Sequence, residues 1–338
     1  MLLTLGLPVY NGAQCIALTL QSIINALNTL SLEDKGQIEI LVSDNASTDC
    51  TQEVVKRFIP NGTRIHYVRN EKNLGYDGNI DSIVQKSEGQ YVWFLGCGEQ
   101  IKEDALSRLI CKLENTNYTN IVLDFDIYDA RKDNIVNDRI YNFDTDIVIK
   151  GKNDFSQNKY GPAVSSNIVN KKLWNDIADE KFVVDGWCHI ERILSMIALN
   201  DYSETLISPN PYFTLYREVD GWWTRPNSYL LLLLLLHIKV IRSMLKKGYD
   251  KGVVKQLELK QSRIALLIAI VQSKEFGMSL NRKIIKDMVD IFRYSLFFWF
   301  IAFPLLLLPK SFMCFPRSAF KMLKFCKKMV LNVKNSLS

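Results

Sequence analysis

Three things are scarce in this chain of 338 residues: histidine (three), glycine (16) and any pattern among its cysteines. No glycine-rich loop carrying Lys or Arg follows the first apolar run. That excludes a P-loop cradle and the phosphate-gripping start of a nucleotidyltransferase. The seven cysteines (Cys15, Cys50, Cys97, Cys111, Cys188, Cys314, Cys326) are odd in number and scattered. None stands at zinc-ligand spacing, so neither a zinc site nor a disulfide framework is expected, and the chain reads as cytosolic. No charged-then-apolar signal segment precedes the first strand. Internal repeats and low-complexity linkers are missing too. With 48% hydrophobic and 23% charged residues, wholesale disorder is excluded. Acidic residues are absent from Lys310 to Ser338, where seven Lys or Arg stand. The net charge of +6 is therefore a property of that tail, which points to an acidic surface.

What is present is an alternation of strand and helix patterns, each strand closed by small, polar or acidic residues. Leu3–Val9 is a short apolar strand that ends Leu7-Pro8-Val9-Tyr10-Asn11. Ile16, Leu20, Ile23, Ile24 and Leu27 recur at helical spacing. Ile38–Val42 is the second strand, followed by Ser43-Asp44-Asn45-Ala46-Ser47-Thr48-Asp49, where Ser47 or Thr48 can cap a helix over Thr51–Phe58. Ile65–Val68 is the third strand. After Asn73-Leu74-Gly75 comes a helix carrying Ile80, Ile83 and Val84. Tyr91–Leu95, the most apolar strand and so the expected centre of the sheet, ends in Gly96-Cys97-Gly98-Glu99. A helix over Ala105–Leu113 and a strand over Ile121–Tyr128 follow, the latter fitting the less buried part of a mixed sheet. Lys132–Tyr160 reads as loop with one strand at Asp146–Ile149. Then come a strand at Val164–Val169, helices at Lys171–Ile177 and after Asp185-Gly186-Trp187-Cys188-His189, and a strand at Tyr212–Tyr216. In an open parallel sheet a ligand lies at the carboxyl ends of the strands, which is where the polar residues collect.

At these residues the sequence resembles family 2 glycosyltransferases of the GT-A type, and among them bacterial enzymes that add sugars to lipid-linked O-antigen intermediates, such as abequosyltransferases. The resemblance covers residues 1–225. It rests on Pro8-Val9-Tyr10-Asn11, on Ser43 to Asp49, on Asn73-Leu74-Gly75 with Asn79, and on Tyr91–Leu95 with its acidic end. It implies an α/β, Rossmann-like fold with a mixed, mainly parallel sheet and helices on both faces. It also implies a nucleotide-sugar site formed by Pro8, Tyr10, Asn11, Asp44, Asn73, Gly75 and Asn79. A base needs a flat surface and a carboxylate for its ring N–H, and Tyr10 and Asp44 suit those tasks; filling the gap beside Pro8 and capping an Asx turn are their purely structural uses. Asn73 and Gly75 would shape the loop against ribose or diphosphate, or serve only as the turn before a helix.

The family's acidic triplet, which holds a divalent metal against the diphosphate, is here Cys97-Gly98-Glu99. Glu99 is the remaining candidate ligand for Mg2+ or Mn2+, against the alternative of a solvated glutamate in a turn. Arg217 is the candidate diphosphate partner, as a guanidinium binds phosphate in bidentate fashion, or else the partner of Glu218 or Asp220. Transfer with inversion needs a base for the acceptor hydroxyl. Asp185, His189 and Glu191 are the options. Asp185 is preferred, with His189 as its partner or a metal-side ligand, since a helical start there would put the two on one face. Trp222 and Trp223 could stack on a sugar.

The character of the chain changes after Pro226, so two regions are expected: a catalytic domain over 1–225 and a helical region over 226–338. Leu230–Leu236 is seven leucines in a row. The apolar run Ser295–Leu308 is short of the roughly 20 residues that span a bilayer, and with the basic, Phe-bearing tail 310–338 it reads as an interfacial anchor. The expected partners are a nucleotide-sugar donor, a lipid-linked oligosaccharide acceptor and an anionic membrane surface, with no nucleic acid. The expected place is the cytoplasmic face of the inner membrane, peripherally. A rival from another class is a degenerate, non-catalytic member that binds a nucleotide-sugar or glycan in an assembly complex, motivated by Cys97 and Gly98.

Overall fold

The computed structural model describes residues 1–59, 64–130, 133–136, 144–152, 154, 163–178, 186–199, 201–217, 230–260, 263, 265–275 and 282–309. The described chain falls into two compact units, Met1–Glu218 with Ser243–Val254, and Val219–Arg242 with Lys255–Ser338.

The first unit begins with β1 (Leu3–Val9), α1 (Ile16–Asn28), α2 (Leu32–Gly36), β2 (Ile38–Asp44), α3 (Thr51–Lys56), β3 (Ile65–Arg69), α4 (Gly75–Lys86), β4 (Tyr91–Phe94), β5 (Gln100–Ile101) and α5 (Ala105–Leu113). It continues through β6 (Asn120–Asp129), β7 (Asn134–Val136), β8 (Ile147–Lys150), β9 (Asn167–Asn170), α6 (Lys171–Asp176), α7 (Cys188–Ala198) and β10 (Glu204–Arg217). The sheet runs β3-β2-β1-β4-β9-β6-β10-β5, with β7 beside β6 and β8 beside β10. Its first half is parallel: β1 pairs β2 from Leu3↔Ile38 to Val9↔Asp44, and also pairs β4 from Leu3↔Tyr91. β9 then runs antiparallel to both β4 and β6. The first four strands thus deliver their carboxyl ends to one edge.

Period-two side chains divide β1 between two helix layers. Leu3, Leu5 and Leu7 join a core with Ile16, Leu20 and Ile23 of α1 and with Leu106, Leu109 and Leu113 of α5. Each such fully buried aliphatic side chain contributes about 2 kcal/mol by area. Gly6 points the other way. A Cβ there would overlap the Ile83 side chain of α4, so only glycine lets α4 lie this close to β1. β4 is buried at every residue and sits mid-sheet, as its apolar run required.

Two strands depart from the sequence reading. Val164–Ser166 is a 3-10 turn, and only Asn167–Asn170 is strand. The side chains of Ser166 and Asn167 both donate to the carbonyl of Ala163, at 2.7 Å each, and this local bonding competes with a ladder. β10 is 14 residues long rather than Tyr212–Tyr216. Pro209 and Pro211 hide it in the sequence, and the ladder to β6 absorbs them by a register shift between Ser208 and Pro211. Strands β5 and β7 carry no period the sequence could announce.

The second unit holds α8 (Leu230–Ser243) up to Arg242, α9 (Lys251–Lys260) from Lys255, α10 (Leu266–Glu275), α11 (Arg282–Phe292), a π-helical turn (Phe298–Ala302) and α12 (Phe303–Leu307). Leu231, Leu235 and Ile238 of the leucine-rich helix are buried against Leu266, Ile270, Met288 and Phe292. No helix among the described residues is long and apolar enough to cross a membrane.

Candidate functional site

At the carboxyl edge, the loops after β1 and β2 are stitched together by short polar side chains. Asn11 takes the left-handed backbone (φ 52°), donates its N–H to Ser47 Oγ (2.9 Å) and accepts the N–H of Thr48 on Oδ1 (2.8 Å). The N–H of Gly12 goes to Thr51 Oγ1 (2.9 Å) and that of Ala13 to Asp49 Oδ2 (3.1 Å). Asn11 is therefore a loop former. It presents the preceding residue, Tyr10, which is 50% exposed and the one large flat surface on this loop. Pro8 lies within β1, opposite Ser43.

Asp44, at the tip of β2, is fully buried. Its Oδ1 accepts the N–H of Ser47 (2.8 Å), its Oδ2 accepts the hydroxyl of Tyr67, and the Arg69 Nε lies 3.8 Å away. Burial, then the Asp44 carboxylate, push the Tyr67 phenol far up, so it stays a donor. A ring N–H arriving at Asp44 would replace or join the Tyr67 bond. Tyr67 and Arg69 were not singled out from sequence. Their mark was only position, at the end of a strand that had to neighbour β2.

An asparagine network fixes the next loop. The Asn45 amide donates to Asn73 Oδ1 and the Gly75 carbonyl, both at 2.9 Å, and its Oδ1 accepts the N–H of Leu74 at 2.8 Å. Asn79 is buried, holding Ser43 through both ends of its amide (2.7 and 3.1 Å) and accepting from Asn70 (3.0 Å). Asn79 is thus spent on the shape of the loop beneath its surface, while Asn73, which also bonds the N–H of Gly75 (2.8 Å), shapes the loop from an exposed position. Gly75, at φ 74°, opens α4 with nothing near its missing Cβ.

The turn after β4 closes the same edge. Gly98, at φ 94°, donates its N–H to Thr19 Oγ1 (2.9 Å). Glu99 turns back on its own loop: Oε2 accepts the Gly96 N–H (2.9 Å). Burial raises its pKa, against the lowering effects of bonds from Ser165 and Gly96. Cys97 lies against Cys15 as a disulfide, with Cα atoms 5.7 Å apart, both sulfurs near the Gly12 carbonyl. This corrects the reading of the cysteines as unpaired. They are 82 residues apart, and only the neighbouring of the β1 and β4 ends brings them together. Residues at the triplet position thus do not fit a hard divalent cation as they stand. One buried carboxyl whose pKa is raised and a sulfur pair are not an oxygen cage. The only group of three metal-capable side chains among the described residues is Glu39, His66 and Glu88. It lies at the opposite edge, since Glu39 starts β2 and Asp44 ends it.

His189 is in the first turn of α7, buried, with its ring 6.2 Å from that of Trp187 and 6.1 Å from that of Tyr76. α7 begins at Cys188, three residues past Asp185, which lies outside the described residues, as do Glu218, Asp220, Trp222 and Trp223. The side chain of Arg217 is also outside them; its backbone ends β10. The start of α7 is pinned from α4: Asp77 accepts the N–H groups of Gly186 (2.6 Å) and Cys188 (3.2 Å). Burial, then Asp77, push the Cys188 thiol well up, which keeps it from acting as a thiolate. Asp77 was missed because an acid in a helix's first turn looks like ordinary dipole compensation.

Tyr10, Asp44 and the Gly96–Glu99 turn therefore share one edge, and a family model described as "Glycosyl transferase family 2" matches residues 4–172, half of the chain. The chain belongs to that family. It is 34% identical over 116 residues to the abequosyltransferase RfbV of Salmonella typhimurium, a stretch covering 34% of this chain and 33% of that protein. It is 31% identical over 97 residues to the GalNAc(5)-diNAcBac-PP-undecaprenol beta-1,3-glucosyltransferase of Campylobacter jejuni, covering 28% and 31%. The matched stretches span about a third of these relatives. Among solved structures, S. aureus TarS 1–349 in complex with UDP aligns over 89% of this chain and 75% of its own, with TM-score 0.56 and 14% identity. The mannosyltransferase PcManGT of Pyrobaculum calidifontis, solved with GDP-Man and Mn2+, aligns over 90% and 84%, also with TM-score 0.56 and 14% identity. These two likenesses establish that the glycosyltransferase family 2 chain has a GT-A-type fold.

Proposed function

We propose that this family 2 chain transfers a sugar, with inversion, from a nucleotide-sugar to a lipid-linked glycan acceptor, working at the cytoplasmic face of the membrane. The observation that carries the reading is the meeting of Tyr10, Asp44 and the 96–99 turn at one sheet edge, inside the stretch the family model matches. Tyr10 stacks on the base and Asp44 accepts its ring N–H, with Tyr67 and Arg69 holding that carboxylate in place. Arg217, at the end of β10, takes the diphosphate. Asp185 removes the proton of the acceptor hydroxyl as its oxygen attacks the anomeric carbon from the face opposite the diphosphate. The bond from that carbon to the diphosphate breaks, and the electron pair leaves with it. His189 supports Asp185. No step is routed through a metal, because the turn offers one buried carboxyl, bonded to Gly96 and Ser165, and at Cys97 a soft sulfur that suits no hard cation whether bridged or free. The lipid-linked acceptor is supported by one relative, which is named for an undecaprenol-linked substrate.

A thermal-shift screen of nucleotide-sugars tests the donor half. A ligand binding only the folded state raises stability by about 2.7 kcal/mol at a hundredfold excess over its Kd. Failure of every nucleotide-sugar to shift the transition sinks the reading. A second reading, a non-catalytic binding member, is favoured by the missing acidic triplet alone. It predicts a shift without turnover, with or without added Mn2+.

A further inference from the structure

Between Arg293 and Lys310 the sequence holds no charged residue, and the structure gives this run two apolar faces. One is spent inward. Phe298, Ala302 and Leu306, at i, i+4 and i+8, are fully buried in the core of the second unit. The other is bare. Leu296 is 74% exposed, Phe300 76% and Leu307 60%, with Trp299 and Ile301 partly exposed beside them. A single exposed leucine needs no explanation, but five large apolar side chains on the outer side of twelve residues do. A helix that only had to close a core would carry polar residues outward.

We infer that this outer face, formed by Leu296, Trp299, Phe300, Ile301 and Leu307, is a docking surface for an anionic lipid bilayer, entered parallel to its plane. Length selects the parallel mode, because no described helix can cross a membrane. Charge selects the occupant. The face has no acid, Arg293 precedes it, and the sequence after it, from Lys310 to Ser338, has seven Lys or Arg and no Asp or Glu. One apolar patch or one basic segment alone binds bilayers weakly and reversibly, whereas two adjacent signals hold. A second copy of this chain would welcome the apolar face but would bring a second like-charged run of seven Lys or Arg from the sequence that follows it. The inference deepens the membrane-held acceptor reading and rests on it for its purpose, not for its test.

The test uses the full chain, floated with vesicles of phosphatidylcholine alone or mixed with phosphatidylglycerol. The comparison is a double variant, Leu296→Ser with Phe300→Ser, two exposed positions. The wild type should float with the mixed vesicles and much less with the neutral ones. The double variant should float about tenfold less, with its thermal transition and nucleotide-sugar shift unchanged. If the variant melts early, Trp299→Ser, also on the outer face, replaces it with the same expectation in direction. Equal flotation of variant and wild type overturns the surface. So does a wild-type dimer in light scattering that the double variant converts to monomer without lipid, which would make a second copy the occupant. In these outcomes donor binding persists and the sugar-transfer reading stands. Flotation without any nucleotide-sugar shift would do the reverse.

Discussion

Strand β2 carries a buried carboxylate near its start and another at its end, and the two ends have different surroundings. Glu39 accepts the Thr4 hydroxyl (2.7 Å) and the Glu88 N–H (2.9 Å) and lies 3.1 Å from His66 Nδ1. Asp44 accepts a hydroxyl and an N–H as well, with Arg69 for its cation. Both are fully buried, and both are provided with bonds. Burial and hydrogen bonding therefore do not tell a ligand site from a rivet. What differs is the edge. Beside Asp44 stand an exposed aromatic, a left-handed loop and the turn after β4. Beside Glu39 the start of β3, the close of α4 and the start of β1 are simply tied together, with Gly89 bonded to Thr4 Oγ1 at 2.9 Å. A set of three metal-capable groups at the wrong edge is a structural knot until an ion is found in it.

The sharpest way to break this comparison is to remove each carboxylate. Asp44→Ala should lower nucleotide-sugar affinity by a hundredfold or more, read by calorimetry on folded protein. Glu39→Ala should leave that affinity in place and cost about 3 kcal/mol in a urea titration, because buried donors on Thr4 and Glu88 lose their acceptor. Donor loss in the Glu39 variant at full folding would show the two edges to be coupled. Next in size is Asp77→Ala. With the amides of Gly186 and Cys188 released, kcat should fall about tenfold while donor Kd stays within a factor of about two, as expected of a positioning residue. Loss of donor affinity instead would place Asp77 in the donor site.

The smallest effect is expected from Glu99→Gln. A carboxyl with a raised folded pKa favours the fold at pH below its unfolded value of 4.5, and that contribution is lost as pH rises through the folded value. The amide keeps an acceptor for Gly96 and does not ionise. The variant should therefore lose less stability than wild type between pH 4 and neutrality, and at least match it at pH 7. Activity abolished by Glu99→Gln and restored by nothing but Mn2+ would return Glu99 to the metal.

Most of the first four strands and their helices were legible, because apolar runs closed by Tyr10-Asn11, Asp44 and Gly96 leave few alternatives for their ends. The choice of edge followed from the parallel order. What the sequence hid was of two kinds. Local bonding by Ser166 and Asn167, and prolines inside β10, blur a period of two that the ladder itself tolerates. Long-range pairs such as Tyr67 with Asp44, Asp77 with Gly186, and Cys15 with Cys97 have no signature along the chain, since only the closed sheet makes them neighbours. The asparagines were noticed: Asn73 shapes the loop, as read from the sequence, and Asn79 is buried on Ser43 and Asn70, a set of bonds that has no mark along the chain.

The sulfur bridge beneath the donor edge carries a practical consequence. It is the sole covalent tie among the described loops, and a reducing milieu removes such ties. With the bridge open, the turn after β4 would be held by Gly98 on Thr19, by Gly96 on Glu99 and Ser165, and by the Glu99 N–H on the Gly96 carbonyl. Two thiols would then face the Gly12 carbonyl. Protein kept with reductant and protein kept without it thus present different floors to the same sugar donor, and a metal titration run on one says nothing about the other.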